Sequence, residues 1–181
     1  MKTKNAIKLL MVAVLLSSAP ALAQRRKSVA AADEESSMPV TYDLSAAVGS
    51  YDGYSYDEIT LGLNWYLADW FNWRNSVFTR QGSGLDSIQG LDSAGLFIAS
   101  TRSSGGTFGI DAFAGPGVRF ANQNSNAVFG EAGLLFKLGG LHIGVGAKAL
   151  SYVSNRVDAT GAALPKTDTQ TFIILSGGGV L

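Results

Sequence analysis

Residues 58–77 read EITLGLNWYLADWFNWRNSV, and this stretch decides the fold. Apolar side chains occupy every second position on both sides of the pair Ala68-Asp69. Successive side chains of a β-strand point to opposite faces of the sheet, so this period of two predicts two strands, each with one apolar and one polar face. The short break between them predicts a tight turn. The stretch is therefore predicted to be an antiparallel hairpin.

The same alternation recurs through residues 40–181 and predicts eight strands, with no helical pattern in that region. The predicted connections alternate between short and long, but only in part. Tight turns are expected after the second, fourth and sixth strands. The fourth strand carries Ala94, Leu96 and Ile98 on one face, and Pro116 predicts a bulge or kink in the fifth, since it has no backbone N–H. The predicted connections are residues 50–55, 68–69, 81–91, 102–106, 122–126, 138–140 and 153–168.

The N-terminus is typical of a secretory signal. Lys2, Lys4 and Lys8 precede an apolar run over residues 9–16, and Ala21-Leu22-Ala23 is a small-residue cleavage site. We therefore predict a signal peptide over residues 1–23, a flexible polar leader over 24–39 and a barrel domain over 40–181. The predicted location is the outer membrane of a Gram-negative bacterium, after export and signal cleavage.

Charge and cysteine content exclude several classes of protein. The 181-residue chain has 14 basic and 14 acidic residues, and loss of residues 1–23 leaves a formal net charge of −3. A nucleic-acid-binding protein needs a clustered basic face, so no nucleic-acid partner is expected. The chain has no cysteine, which excludes disulfides and thiolate metal sites. With one histidine and scattered acids, no metal or other cofactor is predicted.

The polar faces of the predicted strands carry four acids, four bases and many glycines. The interior of an eight-stranded barrel is just wide enough for side chains, and buried charges must be paired. We therefore predict a filled, charge-balanced lumen; the alternative is the solvated outer face of a soluble barrel. The predicted interior ion-pair network comprises Asp43, Glu58, Arg74, Asp111, Arg119, Glu131, Lys137 and Lys148.

The apolar faces have no second layer of structure to pack against, and lipid would supply the missing partner. Aromatic rings near predicted strand ends favour the boundary between hydrocarbon and water, although the tryptophans could instead form a core cluster. These patterns predict an all-β, eight-stranded, antiparallel up-and-down transmembrane β-barrel. The predicted lipid-facing residues are Leu61, Leu63, Trp65, Ile110, Leu134, Ile143 and Val145, and the predicted interfacial aromatic residues are Trp65, Trp70, Phe71 and Trp73.

The hairpin phrases YLADW (66–70) and GPGVRF (115–120), with the strand count and the signal, resemble the small outer-membrane barrels of the OmpA-like and OmpW-like group. The resemblance covers residues 40–181. It implies outer-membrane lipid, the outer-membrane insertion machinery and periplasmic chaperones as partners, and a monomer. Members typically end in an aromatic residue that resembles an insertion signal, whereas this chain ends in Leu181.

No catalytic residue is predicted, so the chain is expected not to be an enzyme. Lipid A deacylases of this architecture use a Ser-His-acid set near the outer leaflet. The single histidine, His142, follows a tight turn and should lie at the periplasmic end, as an interior or rim residue. The glycines at 177–179 are not a phosphate loop, because no helix follows them.

The predicted function is a role in envelope structure or surface interaction, through extracellular loops at 81–91 and 153–168. Two alternatives stay open. One is a narrow, porin-like channel or transporter for small solutes, with a hydrated lumen. The other is a soluble periplasmic ligand-binding barrel, with Leu61, Leu63, Ile143 and Val145 facing inward.

Overall fold

The computed structural model describes residues 40–51, 53–104 and 107–177. The predicted signal peptide, the polar leader and the C-terminal Leu181 lie outside the described residues. The strands are β1 (Val40–Tyr51), β2 (Tyr54–Ala68), β3 (Phe71–Gly82), β4 (Leu85–Arg102), β5 (Phe108–Ala121), β6 (Ala127–Leu138), β7 (Leu141–Tyr152), β8 (Arg156–Val157), β9 (Ala163–Leu164) and β10 (Thr167–Gly177).

Eight of these strands close into one antiparallel barrel, in the order β1-β10-β7-β6-β5-β4-β3-β2. From β1 to β7 each strand pairs with the next along the chain, β7 pairs with β10, and β10 pairs with β1 to close the ring. The short strands β8 and β9 form a separate hairpin within the connection from β7 to β10. The prediction of an eight-stranded antiparallel β-barrel is confirmed.

No helix within the described ranges is long and apolar enough to cross a membrane.

The barrel is apolar outside and polar inside. Along β2, Ile59, Leu61 and Leu63 are exposed, while Glu58 and Asn64, which lie on either side of these three residues in the strand, are buried. This arrangement inverts that of a soluble barrel, because water-exposed surface is normally polar and the interior apolar. The alternative of a soluble barrel with Leu61, Leu63, Ile143 and Val145 inside is therefore wrong.

The two ends of the barrel differ in their connections. We call the end that carries the links after β2, β4 and β6 the turn end, and the opposite end the loop end. The links at the turn end span residues 69–70, 103–107 and 139–140. The loop end carries the links at 52–53, 83–84 and 122–126, and the long one from Val153 to Lys166 that contains β8 and β9.

The predicted loop over residues 81–91 is wrong. β3 continues to Gly82, β4 begins at Leu85, and Gly84 adopts φ +75° in the tight turn between them. The strands continue here with polar residues at outward positions, since Gln81 and Gln89 are both exposed, and an apolar outward residue returns only at Leu91. Since the alternation of apolar residues carried the strand prediction, the signal ended before the strands did.

Two features of β4 and β5 differ from expectation. Ala94 and Leu96 are buried in the lumen, so the face of the fourth strand that carries Ala94, Leu96 and Ile98 lines the interior. The register of β5 does not shift at Pro116 against either neighbour, so the predicted bulge is absent. Instead, the β4–β5 ladder lacks the two rungs at Gly95 and Leu96, beside the proline that cannot donate.

Candidate functional site

The lumen gathers the charged side chains. All eight residues of the predicted interior network face inward, and seven of them are buried, with Lys137 partly buried. Three further charged residues, Arg80, Asp92 and Asp168, are buried beside them. Arg80 lies at the end of the predicted third strand, Asp92 directly follows the predicted loop over residues 81–91, and Asp168 is the last residue of the predicted loop over residues 153–168. Following the period of two through those loops would have found both aspartates.

Arg119 makes the most charged contacts in the lumen. Its guanidinium donates to Asp92 through Nε (2.7 Å to Oδ1) and Nη2 (2.7 Å to Oδ2). It also donates to Glu58 through Nη1 (2.9 Å to Oε2) and Nη2 (2.8 Å to Oε1). The ring of Phe78 lies 3.8 Å from the guanidinium carbon and adds a cation–π contact. Because β2 and β5 are not adjacent, the bond to Glu58 crosses the lumen.

Arg80 extends this arrangement toward the last strand. It donates through Nε to Glu58 (2.9 Å), through Nη1 to Asp168 (3.1 Å) and through Nη2 to Gln170 (2.9 Å). Nη1 also donates to the hydroxyl of Tyr152 at 2.8 Å. The contacts from β3 to β10 cross the barrel again.

Lys148 on β7 forms ion pairs with residues of β4 and β6. Its ammonium lies 2.8 Å from Asp92 Oδ2 and 3.3 Å from Glu131 Oε2. Glu131 in turn meets Arg74 at 3.5 Å, again between strands that are not neighbours. We give the name ion-pair layer to seven of these connected residues, without Arg74 and its partner Asp43: Glu58, Arg80, Asp92, Arg119, Glu131, Lys148 and Asp168.

The side chains of the ion-pair layer fill the cross-section of the lumen. Glu58 and Arg119 have no exposed side-chain surface, and Arg80 has 2%. Such charges are tolerated inside a protein only when partners replace the water they lose. Here most donors of both guanidinium groups find carboxylate, hydroxyl or amide oxygens, so the layer is held as one bonded unit across the lumen.

Two ion pairs lie between the layer and the turn end. Arg74 donates to Asp43 through Nη2 (2.6 Å) and Nε (3.1 Å), and Asn64 donates to the same carboxylate at 2.7 Å. Lys137 pairs with Asp111. His142 is inward-facing and partly buried here, opposite Lys137 on one neighbouring strand and Ser176 on the other. The structure therefore puts the histidine at the turn end of the lumen.

The loop end is covered by the link that carries β8 and β9. Arg156 is buried, lies 3.3 Å from the ring centre of Tyr152, and donates to the backbone oxygen of Pro165. Asp158 accepts hydrogen bonds from Thr160 and Ala162, and the hydroxyl of Tyr54 on β2 donates to it at 3.0 Å. These bonds, first the one from the Thr160 hydroxyl, lower the pKa of Asp158 to about 2.

The outer wall carries the predicted apolar and aromatic residues. Leu61, Leu63, Leu134 and Val145 are exposed there, while Trp65, Ile110 and Ile143 are partly exposed on the same wall. The aromatic residues gather at the turn end, where Phe71 packs against Phe97 and three further close ring pairs form, each with a tryptophan. The pairs are Trp65 with Trp73, Trp70 with Phe71, and Trp70 with Phe97, at 5.7, 5.7 and 6.1 Å between ring centres.

Comparison with known proteins gives a structural neighbour. No protein-family model and no curated protein matches the sequence. The crystal structure of the outer membrane enzyme PagL matches with a TM-score of 0.50 and 17% identity, over 73% of this chain and 97% of that one. At this identity the likeness extends to the fold alone. The chain is an eight-stranded barrel of the outer-membrane type.

The prediction that this chain is not an enzyme is overturned by this neighbour. PagL is described as an outer membrane enzyme, and its barrel has the same fold. The barrel architecture therefore does not separate enzymes from other proteins, and a fold can host unrelated functions. The comparisons do not support the narrower assignment to the OmpA-like and OmpW-like group.

Proposed function

We propose that this protein is a sealed outer-membrane barrel that presents a structured surface at its loop end and acts in envelope structure or surface interaction. The observation that carries the proposal is the ion-pair layer, whose bonds cross the lumen between strands that are not neighbours. A barrel filled in this way is a rigid support rather than an open pore. Outer-membrane lipid is the partner proposed for its apolar wall.

The proposed orientation puts the loop end outside the cell. In outer-membrane barrels the short turns face the periplasm and the longer links face outward. The longest link here, from Val153 to Lys166, holds its own hairpin and is tied to β2 by the bond from Tyr54 to Asp158. An ordered loop of this kind presents a defined surface, which is what recognition by a partner requires.

The sealed lumen is tested by conductance. Purified barrel in planar bilayers should give no single-channel current above leak, because buried, paired side chains of the ion-pair layer occupy the lumen. The conductance of the Arg119→Ala variant, which lacks the cation that bonds to Glu58 and Asp92, is recorded beside that of the unaltered protein. Regular conductance steps from the unaltered protein would contradict the proposal and favour the narrow-channel alternative.

The orientation is tested in the same protein by cysteine labelling, since the chain has no cysteine of its own. A membrane-impermeant maleimide on whole cells should label Ala159→Cys at the loop end. It should not label Gly140→Cys, at the turn end, until the outer membrane is opened. Labelling in the reverse order, or recovery of the protein in a soluble fraction, would refute the proposed placement.

A further inference from the structure

A cavity lies in the lumen between the ion-pair layer and the turn end. Its volume is about 50 Å³, and a cavity needs ~10–15 Å³ by the corresponding measure to hold one water molecule. Tyr66, Ile98 and Leu135 in its lining are only partly buried, so the cavity opens toward the turn end. The ion-pair layer closes its other side. This turn-end cavity is reached from one side of the barrel only.

Two buried acceptors in the lining have no hydrogen-bond partner. Asn72 is 3% exposed and donates its amide to Asn64, but no donor among the described residues reaches its Oδ1. Asp111 is 3% exposed and pairs with Lys137 through Oδ2, while its Oδ1 is likewise without a donor among the described residues. Leaving a buried acceptor unsatisfied costs free energy, and more for a charged group. These two acceptor atoms therefore lack a donor, although other residues of the lining carry donors.

Charge and polarity narrow the chemistry of the missing donor. Of the two carboxylates in the lining, Asp43 is paired with Arg74 and Asp111 is paired with Lys137, but Asp111 Oδ1 is left without a donor, and hydrogen bonds to a carboxylate are strongest from a charged donor. A cationic donor is therefore favoured over an anionic or purely accepting group. Much of the remaining wall is apolar, and no group of three or more His, Cys, Asp or Glu side chains within the described ranges is placed to hold a metal ion. The apolar lining residues are Leu96, Ile98, Phe113, Leu135 and Ile174.

We infer that the turn-end cavity binds a small primary ammonium ligand. Its N–H groups donate to Asn72 Oδ1 and Asp111 Oδ1, and its carbon chain lies along the apolar wall toward the opening. Lys137 shares Asp111 with the ligand, since each oxygen of a carboxylate can accept separately. With the turn end toward the periplasm, the site would sample amines of that compartment.

Nuclear magnetic resonance of the full chain, refolded in detergent micelles, tests the inference. Methylammonium and propylammonium chloride should cause saturable shifts of the Asn72 and Asn64 side-chain amides and of the Leu135 methyl groups. Tetramethylammonium chloride has the same charge but no N–H donor, and sodium chloride controls for ionic strength. Equal shifts with these salts, or shifts that do not saturate, would overturn the inference and leave a cavity filled by water only.

Three variants locate the site. Asp111→Asn should weaken propylammonium binding by about tenfold, the effect of losing one charged acceptor. Asp86→Asn removes an exposed acid near the loop end and should leave binding unchanged. Lys137→Met removes the competing cation, so binding should become tighter. Because this third variant predicts a gain, it separates loss of a ligand contact from general damage to the barrel; weaker binding in Lys137→Met would refute the role of Asp111.

Discussion

Arg119 shows what a single residue contributes to the lumen. Its guanidinium bonds to both Glu58 and Asp92 and has no exposed surface. A buried ion pair adds little net stability over apolar packing, but removing one partner leaves a charge uncompensated, at a cost of about 3–5 kcal/mol. Arg119 is therefore needed to compensate the buried carboxylates of the lumen, but the ion pairs that it forms add little net stability.

Arg119→Met is expected to lower the free energy of unfolding by about 3 kcal/mol, the low end of that range, because Arg80 and Lys148 still neutralise part of the charge. Urea unfolding of the refolded barrel, followed by tryptophan fluorescence, measures the change. Arg102→Met is the matched control, since Arg102 is exposed at the end of β4. Equal effects of the two replacements would contradict the role of the ion-pair layer.

Asp158 makes the order of the loop end depend on pH. Hydrogen bonds lower the pKa of its carboxyl from 3.8 to about 2 in the folded protein. A lowered folded-state pKa means that the bonds contribute fully above pH 3.8 and are lost as the pH falls toward 2. The backbone amide signals of Thr160 and Ala162 should therefore titrate with a midpoint near 2. Asp158→Asn should abolish that transition, and a midpoint near 3.8 in the unaltered protein would refute the prediction.

At the scale of the element, β4 and β5 approach closely where their ladder is interrupted. A Cβ atom added to Gly115 would lie 1.9 Å from the backbone oxygen of Gly95, and backbone cannot move aside as a side chain does. The glycine is therefore required by the neighbouring strand. Gly130, on β6, has open space where its Cβ would be.

Gly115→Ala is expected to lower the free energy of unfolding by about 1–3 kcal/mol, the usual cost of overpacking. Gly130→Ala should be neutral or slightly stabilising, because it meets no atom and reduces the freedom of the unfolded chain. The same urea titration compares the two variants. A Gly115→Ala barrel as stable as the Gly130→Ala barrel would show that β4 and β5 can separate without cost.

At the scale of the whole molecule, closure rests on the shortest ladder. Within residues 40–51, 53–104 and 107–177, which the structure describes, β1 pairs with β10 over six residue pairs, from Leu44 to Gly49, whereas β1 pairs with β2 over twelve. Local opening is easiest where the fewest cooperative bonds must break. The seam between the first and last strands should therefore open before the rest of the barrel.

Hydrogen exchange tests this expectation. Backbone amides that bond across the β1–β10 ladder should exchange faster than those that bond across the β5–β6 ladder, which also has twelve residue pairs. The comparison is made within one sample, so detergent and pH affect both ladders alike. Uniform protection around the ring would mean that the barrel opens only as a unit.

The sequence by itself determined the strands, their faces and the filled lumen. Side chains alternate at every second position whatever the strand pairs with, so Glu58, Arg119 and Lys148 could be assigned to the polar face without a structure. It also gave the wrong extent for β3 and β4, because outward positions such as Gln81 and Gln89 lose the apolar signal while the backbone pairing continues.

Tertiary structure alone decided which charges meet. Glu58 and Arg119 are 61 positions apart, and Arg80 and Asp168 are 88 apart. Alternation indicates the face on which a residue lies, but not its height in the barrel. That height follows from strand tilt and register, which are set only when β10 closes against β1. The ion-pair layer and the turn-end cavity therefore exist only in the closed barrel.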